Sequence, residues 1–528
     1  MIPLDGRGRL QTATRRTRPR PIAQIKSLLE PRSIAVLGAS SKRANFGRII
    51  LNNIKECGYP IQQLYVVKDG IESLDGVRCV PGIADIPGNL DLLIMAATVK
   101  DMPQFVNQLI EEGKVASVIL IPGGLGETKD TQDIPARIRA AISAARERQE
   151  KCPIFLGGNC LGMRSRPGKF DTFFIESRKL DPRRNAEPRR TALISQSGAF
   201  VITRMSNLQT LDPTLAISIG NQLDLTVSDM LRAVGQREDI DAIGVYIEGF
   251  QDLDGSAFVR AVEDVTAAGK VVVFYKAGRT EAGRSATAGH TASIAGDYDI
   301  CQTGVANAGA IVTESFQEFE QLMELATALH DKDVGGVRVG AISNAGYETV
   351  GMADAIHGPS HEVELPEFSA KTQTALGGLL AKYRLDRLVN LRNPLDLTPM
   401  ANDEAYEDCI RTILIDAGID AVVAAAVPLT PEMRNMPDEI EEPGSTTARL
   451  SELFRKSKKP VVAVIDAGAP FETLALSLRS AGIPVFRSSD QAIRSLGRYL
   501  CHRVRMGLPR ADQPEKTGEE QKRNSVIA

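Results

Sequence analysis

The sequence predicts an α/β chain of three successive parallel-sheet blocks: a Rossmann-like domain first, then two flavodoxin-like doubly wound domains. Three observations support this. Short apolar runs recur along the 528 residues, each followed by a stretch with helical spacing. That alternation marks parallel strands joined by helical crossovers. The composition is 43% hydrophobic but only 5% aromatic, with no Trp and 45 Gly, which suits aliphatic strands and close helix contacts. Several runs also end in Gly or Ser just before a helix, as strands do at the ligand edge of an α/β sheet.

The first block opens with the run Ser33 to Gly38, and a helix is predicted from Phe46 to Cys57. Further strands are predicted at 63–67, 92–96, 118–121 and 154–156, giving a domain over 25–165. Residues 166–190 are rich in Arg and Pro and read as a linker. The second block has runs at 191–195, 215–219, 242–247, 271–275 and 310–312, and spans 191–332. The third has runs at 337–343, 421–426, 461–465 and 485–486, and spans 335–505. Residues 1–24 are basic and read as a disordered extension; 510–528 are charged and read as a disordered tail.

The bulk properties exclude several classes. A net charge of −3 gives no general drive toward nucleic acid or membrane, and no apolar run is long enough to span a bilayer. Seven dispersed cysteines without a CxxC pair offer no zinc site and fit reduced thiols in a cytoplasm. No metal site is expected.

Five segments carry chemistry. The turn Gly38-Ala39-Ser40-Ser41-Lys42 puts glycine and cations at the end of the first strand, where a phosphorylated ligand fits. It is not a GxGxxG, and an ordinary βα turn has the same look. The segments Leu193 to Gly198 and Ala341 to Gly346 both run strand, small polar residue, Gly, helix. Free N–H groups and the helix dipole make such openings candidate anion sites, although helix capping alone uses the same residues. His290, one of five histidines, lies in a small-residue segment with the access a nucleophile needs. Glu248 ends an apolar run, where it could hold an imidazole in one tautomer or simply face solvent.

Taken in order, these segments resemble the ADP-forming (NDP-forming) acyl-CoA synthetases, relatives of the succinyl-CoA synthetase α subunit. The resemblance rests on Val36-Leu-Gly-Ala-Ser40, Gly157-Gly-Asn-Cys-Leu-Gly162, Ser195-Gln-Ser-Gly-Ala199, Ser218-Ile-Gly-Asn-Gln-Leu-Asp224, Tyr246-Ile-Glu-Gly249, the run Lys276 to Gly296, and Asn393-Pro-Leu-Asp-Leu-Thr398. It implies a CoA-binding Rossmann-like domain followed by a succinyl-CoA synthetase-like flavodoxin domain that carries a phosphohistidine. His290 would be phosphorylated and Glu248 would pair with it. Ser197 and Gly198 would hold phosphate. Gly38, Ala39, Ser40, Ser41, Lys42, Gly123 and Gly124 would hold coenzyme A, and Asn159 and Cys160 would lie near the thioester. The implied reaction joins an acid to CoA with NTP cleavage to NDP and phosphate, reversibly, through an acyl phosphate. Three doubly wound blocks use the whole length, so an ATP-grasp β subunit is expected as partner, in a heterotetramer, carrying Mg2+ and ADP/ATP.

Three positions depart from the family pattern, all in the first block. Gly158 stands where the family has Pro, Val66-Val-Lys-Asp69 replaces a V-NP pattern, and Ala96-Ala-Thr-Val99 replaces a VPA-type turn. They motivate an alternative, a catalytically silent CoA or acyl-CoA sensor or scaffold. An NAD-linked dehydrogenase is disfavoured by the missing GxGxxG and ribose carboxylate.

Overall fold

Runs such as Ala242–Ile247 (AIGVYI) have no polar position to turn toward water, so they suit strands buried on both faces. The computed structural model places them so. It describes residues 19–97, 102–125, 131, 133–180, 187–208, 210–251, 253–290 and 297–507, the side chains of 288–290 excepted. The chain divides into two units, Met1–Met323 and Glu324–Ala528.

The first unit holds two seven-stranded sheets. One consists of β1 (Ile34–Leu37), β2 (Leu64–Val67), β3 (Ser73–Leu74), β4 (Val77–Val80), β5 (Leu90–Met95), β6 (Val115–Leu120) and β7 (Ile154–Gly157). Its order is β3-β4-β2-β1-β5-β6-β7, parallel except for the β3–β4 pair. The other consists of β8 (Gly162–Ser165), β9 (Phe170–Asp171), β10 (Arg189–Ser195), β11 (Pro213–Ser218), β12 (Ala242–Ile247), β13 (Val271–Lys276) and β14 (Ile311–Thr313). Its order is β14-β13-β12-β10-β11-β8-β9, with β8 and β9 antiparallel to their neighbours. One apolar cluster, from Ile34 and Ile94 to Ile194 and Val245, serves both sheets.

The second unit has β15 (Val339–Ser343), β16 (His357–Gly358), β17 (His361–Glu362), β18 (Leu395–Asp396), β19 (Ala421–Ala426), β20 (Val461–Ile465) and β21 (Val485–Phe486). Five of these form a parallel sheet in the order β18-β15-β19-β20-β21, and β16 and β17 pair as a hairpin. In each large sheet the order reverses at the first long strand, β1, β10 or β15. Those are the switch points at which α/β sheets bind ligands beyond the strand C-termini.

Three stretches differ from expectation. Within 1–24, the helix Ile22–Leu29 already begins and buries Ile25, Leu28 and Leu29. Arg20 is anchored ahead of it, its guanidinium on Asp224 and its backbone N–H on Asp229. Residues 1–18 and 508–528 lie outside the described residues. The stretch 166–190, read as a linker, contains β9 and buried Phe170 and Phe173. Finally, β8 falls within the expected first block but pairs with β11 of the second sheet. Its Arg164 is buried there because Asp212, 3.2 Å away, supplies the counter-charge.

Candidate functional site

The C-terminal edge of the first sheet gathers the turns after β1, β5, β6 and β7. Gly38 follows β1 with φ +101°, and a Cβ there would stand 2.6 Å from the Cβ of Ala97, so the turns after β1 and β5 touch. Asn45 shapes the first turn: its Nδ2 donates to Gly38 O and its Oδ1 accepts from Ser40 N and from Arg48 N, capping the helix Phe46–Glu56. The Ser40 hydroxyl accepts the N–H groups of Lys42 and Arg43. Ala39 is buried, whereas Ser41, Lys42 and Arg43 are exposed, leaving two cations at the rim. Arg48 ties the turn to β3 by donating to the carbonyls of Ser40 and Ser41 and pairing with Asp75.

Gly123 and Gly124 are exposed after β6, and Gly124 has φ +80°. Asn159 N donates to Pro122 O at 3.0 Å, and a Cβ on Gly123 would lie 3.2 Å from Asn159 Oδ1. Asn159 is thus exposed beside the Gly-Gly turn. Cys160 faces inward instead. Its Sγ donates to Leu120 O at 3.3 Å, and burial pushes its thiol up to about 12. A neutral, buried thiol can pack beneath this edge but presents no thiolate to a ligand. At Gly158, a side chain would meet Leu125 Cδ1 at 2.4 Å.

At the second sheet, Ser197 caps the helix Gly198–Asn207, its Oγ accepting from Phe200 N at 3.3 Å. Gln196 is buried between β10 and β12, where its Oε1 accepts the N–H groups of Glu248 at 2.8 Å and Gly249 at 3.0 Å. Glu248 is half-buried just beyond β12. The Tyr246 hydroxyl donates to its Oε1 at 3.3 Å, and Lys276 donates to its carbonyl at 2.8 Å. Tyr246 lies in a stack with Phe200 and Tyr275, at centroid distances of 4.3 and 5.7 Å. The helix Glu281–His290 follows β13 and ends on His290. The His290 side chain lies outside the described residues, as does 291–296, so its expected pairing with Glu248 remains a proposal.

The two edges meet at the segment 218–224. Asn221 N donates to Gly158 O at 2.8 Å, Leu223 N to Gly157 O at 2.7 Å, and Leu161 N to Ser218 Oγ at 3.1 Å. Gly220 has φ +55°, and a Cβ there would lie 2.3 Å from Gly158 O and 2.7 Å from Asn159 O. Gln222 donates to Gly249 O and accepts from Val227 N. Asp224, its side chain 1% exposed, receives Arg146 on both oxygens at 2.6 and 2.7 Å. It also accepts from Arg20 Nε at 2.9 Å and Phe155 N at 3.0 Å. Burial alone would raise the Asp224 pKa, but the guanidinium groups outweigh it and hold the carboxyl below its ordinary value.

Gln196, Ser218, Asp224 and Lys276 belong to quoted segments, but spacing gave them no role. Their signal was a polar residue inside or just beyond an apolar run. The other candidate opening is different. Asn344 is fully buried, exchanging hydrogen bonds with Val427 and Thr430. Asp396 Oδ2 lies 3.0 Å from a Cβ built on Gly346, so a carboxylate already stands at the start of the helix Gly346–Asp354 and opposes a second anion. Among the described residues, no group of three or more His, Cys, Asp or Glu is placed to hold a metal.

The family model described as a CoA binding domain matches residues 32–166, and that described as a succinyl-CoA ligase like flavodoxin domain matches 188–329. The chain is 29% identical over 469 residues to the acetate–CoA ligase [ADP-forming] II subunit alpha of Pyrococcus furiosus, covering 87% of this chain and 94% of that one. It is 27% identical to a trans-feruloyl-CoA synthase from an unknown prokaryotic organism, spanning 90% of this chain and 64% of that protein. Its fold is similar to that of an acetyl-coenzyme A synthetase from Ca. Korarchaeum cryptofilum, with TM-score 0.78, 22% identity and coverage of 91% and 97%. The chain thus carries the two matched domains in order, and over nearly its whole length it is similar to an α subunit of an ADP-forming acetate–CoA ligase.

Proposed function

We propose that this chain is the CoA-binding, phosphoryl-carrying subunit of an ADP-forming acyl-CoA synthetase, converting acid, CoA and NTP reversibly to acyl-CoA, NDP and phosphate. The observation that carries the reading is the junction itself. Segments 157–161, 196–198, 218–224, 248–249 and 276–277, far apart in sequence, are hydrogen-bonded or packed together where two switch-point edges meet.

In the thioester-cleaving direction, the turn Gly38 to Lys42 with Gly123 and Gly124 would seat CoA. Its exposed cations and open backbone suit a phosphorylated ligand. Asn159 would face the thioester, and Cys160 would support that turn from below. A phosphate oxygen attacks the acyl carbon, the C–S bond breaks, and CoA leaves as thiol. An imidazole nitrogen of His290 then attacks phosphorus, the P–O bond to the acyl group breaks, and the carboxylate leaves. Glu248, held at its N–H, carbonyl and carboxylate, would fix the imidazole tautomer, and the helix N-terminus at Ser197 and Gly198 would balance phosphate charge.

The phosphoryl group then passes to NDP on an ATP-grasp β subunit that supplies Mg2+, in a heterotetramer. The subunit naming of the Pyrococcus furiosus relative supports such a partner. The relatives are named for acetate and ferulate, which supports a carboxylic acid as the substrate class, and a cytoplasmic location is part of the same reading.

The test mixes this chain with its ATP-grasp partner, ATP, Mg2+, CoA and acetate or a hydroxycinnamate, and follows acyl-CoA and nucleotide. One ADP per acyl-CoA, dependent on both chains, is the expected result. AMP as the product, or tight CoA binding without turnover by an active partner, would reject the reading in favour of another ligase chemistry or the sensor.

A further inference from the structure

One buried cation at the second sheet's edge makes no ion pair with a described residue. Lys276 closes β13 and is 2% exposed. Its Nζ donates to Glu248 O at 2.8 Å and Ala277 O at 2.6 Å, both neutral acceptors. Among the described residues, no carboxylate lies within ion-pair distance of this ammonium, and no aromatic ring caps it. Other buried cations have a counter-charge or an aromatic ring: Arg164 has Asp212, Lys332 lies 4.5 Å from the Phe454 ring, and Arg503 lies 5.7 Å from that of Tyr499. A buried charge with no ion-pair partner is costly, and burial holds the Lys276 pKa below the ordinary lysine value although Cys301 and Glu248 favour the charged form.

Position suggests where the missing anion comes from. Strand β12 lies between β10 and β13, so Glu248 sits between Gln196–Ser197 on one side and Lys276 on the other. The helix Gly198–Asn207 begins on the first side, and the helix ending at His290 follows Lys276 on the second. An anion at this edge would meet free N–H groups from one strand end and the ammonium from another.

We propose that Lys276 is the buried counter-charge for the phosphate dianion handled at this edge, a role that rests on the phosphoryl-carrier reading for the identity of the anion. The lysine holds the Glu248 and Ala277 carbonyls in the free protein and neutralises phosphate when it arrives. No bond is made or broken at Lys276.

Thermal unfolding of the full chain is measured with increasing inorganic phosphate, against chloride at matched ionic strength, for wild type, Lys276→Met and Lys276→Arg. Wild type is expected to rise in Tm with the logarithm of phosphate concentration once its binding constant is passed. Lys276→Met should match or exceed wild type without phosphate, because a buried charge is gone, and should need about 100-fold more phosphate for the same rise. Lys276→Arg should retain most of the response. Should the methionine variant fail to fold, Lys276→Gln keeps a donor for one carbonyl without the charge and should lose the response likewise. A charge-free variant that melts earlier yet responds to phosphate as wild type does would overturn the proposal, leaving Lys276 a structural tie. A His290→Ala variant separates the two claims. A wild-type phosphate response that needs Lys276, with no phosphohistidine ever formed, upholds the anion site and rejects the carrier reading. A phosphohistidine with an unchanged response in Lys276→Met rejects Lys276 alone.

Discussion

Replacing Asp224 with asparagine removes the anion shared by two arginines while keeping the side chain's shape. The carboxylate is 1% exposed and takes both nitrogens of Arg146, Nε of Arg20 and the N–H of Phe155. Leaving a buried charge without its partner costs roughly 3–5 kcal/mol. Arg146 and Arg20 are 23% and 21% exposed, so water reaches them in part and the lower end applies, about 3 kcal/mol. For a unit of about 300 residues, whose unfolding entropy is about 0.7 kcal/mol/K, that shifts Tm by about 4–5 °C. Calorimetry of the full chain at pH 7 should show the transition of the first unit lowered by that amount, with the second unit's transition unmoved. The sign with pH follows from the depressed carboxyl. Its contribution is complete above the unfolded value near 3.8 and is lost as pH falls through the folded value, so variant and wild type should converge in acid. An Asp224→Asn transition within about 1 °C of wild type (about 0.7 kcal/mol or less) at pH 7 would refute the clamp.

Gln196→Ala strips the acceptor from two N–H groups beside the proposed catalytic carboxylate. It should lower the rate of phosphoprotein formation at least about tenfold while leaving CoA affinity, measured by titration calorimetry, unchanged. In the second unit, Glu348 is fully buried with Oε1 unpartnered, and burial pushes its carboxyl up to about 7. The ionised form is disfavoured in the folded state. Stability of this unit should therefore fall as pH rises from about 4.5 through 7, by about 3 kcal/mol in all. Glu348→Gln should flatten that dependence in urea titrations; an unchanged slope would contradict the assignment.

Much of the framework was readable because the central strands are apolar on both faces. Runs such as 242–247, 421–426 and 461–465 coincide with their strands. Short or half-polar strands were not readable: Ser73–Leu74 and Val77–Val80 carry too little pattern, and Val115–Leu120 begins earlier than expected because Ser117 is buried by bonding Asp91 O. Composition misled at Arg20 and at 166–190, where arginines read as solvated charge are paired with Asp224 and Asp212. At the site, the motif residues were legible one by one, but their convergence was not. Gly220 against Gly158, and Gln196 against Glu248, are contacts across 62 and 52 residues that no local period reveals. Cys160 shows the converse, a motif cysteine whose side chain turns into the core.

The most direct measurement is phosphorylation of this chain by labelled ATP, Mg2+ and its ATP-grasp partner. The expected result is an acid-labile, base-stable phosphoprotein that discharges on adding acid and CoA and is absent from His290→Ala. An active partner that leaves the wild-type chain unlabelled, or label that persists in His290→Ala, would contradict the account.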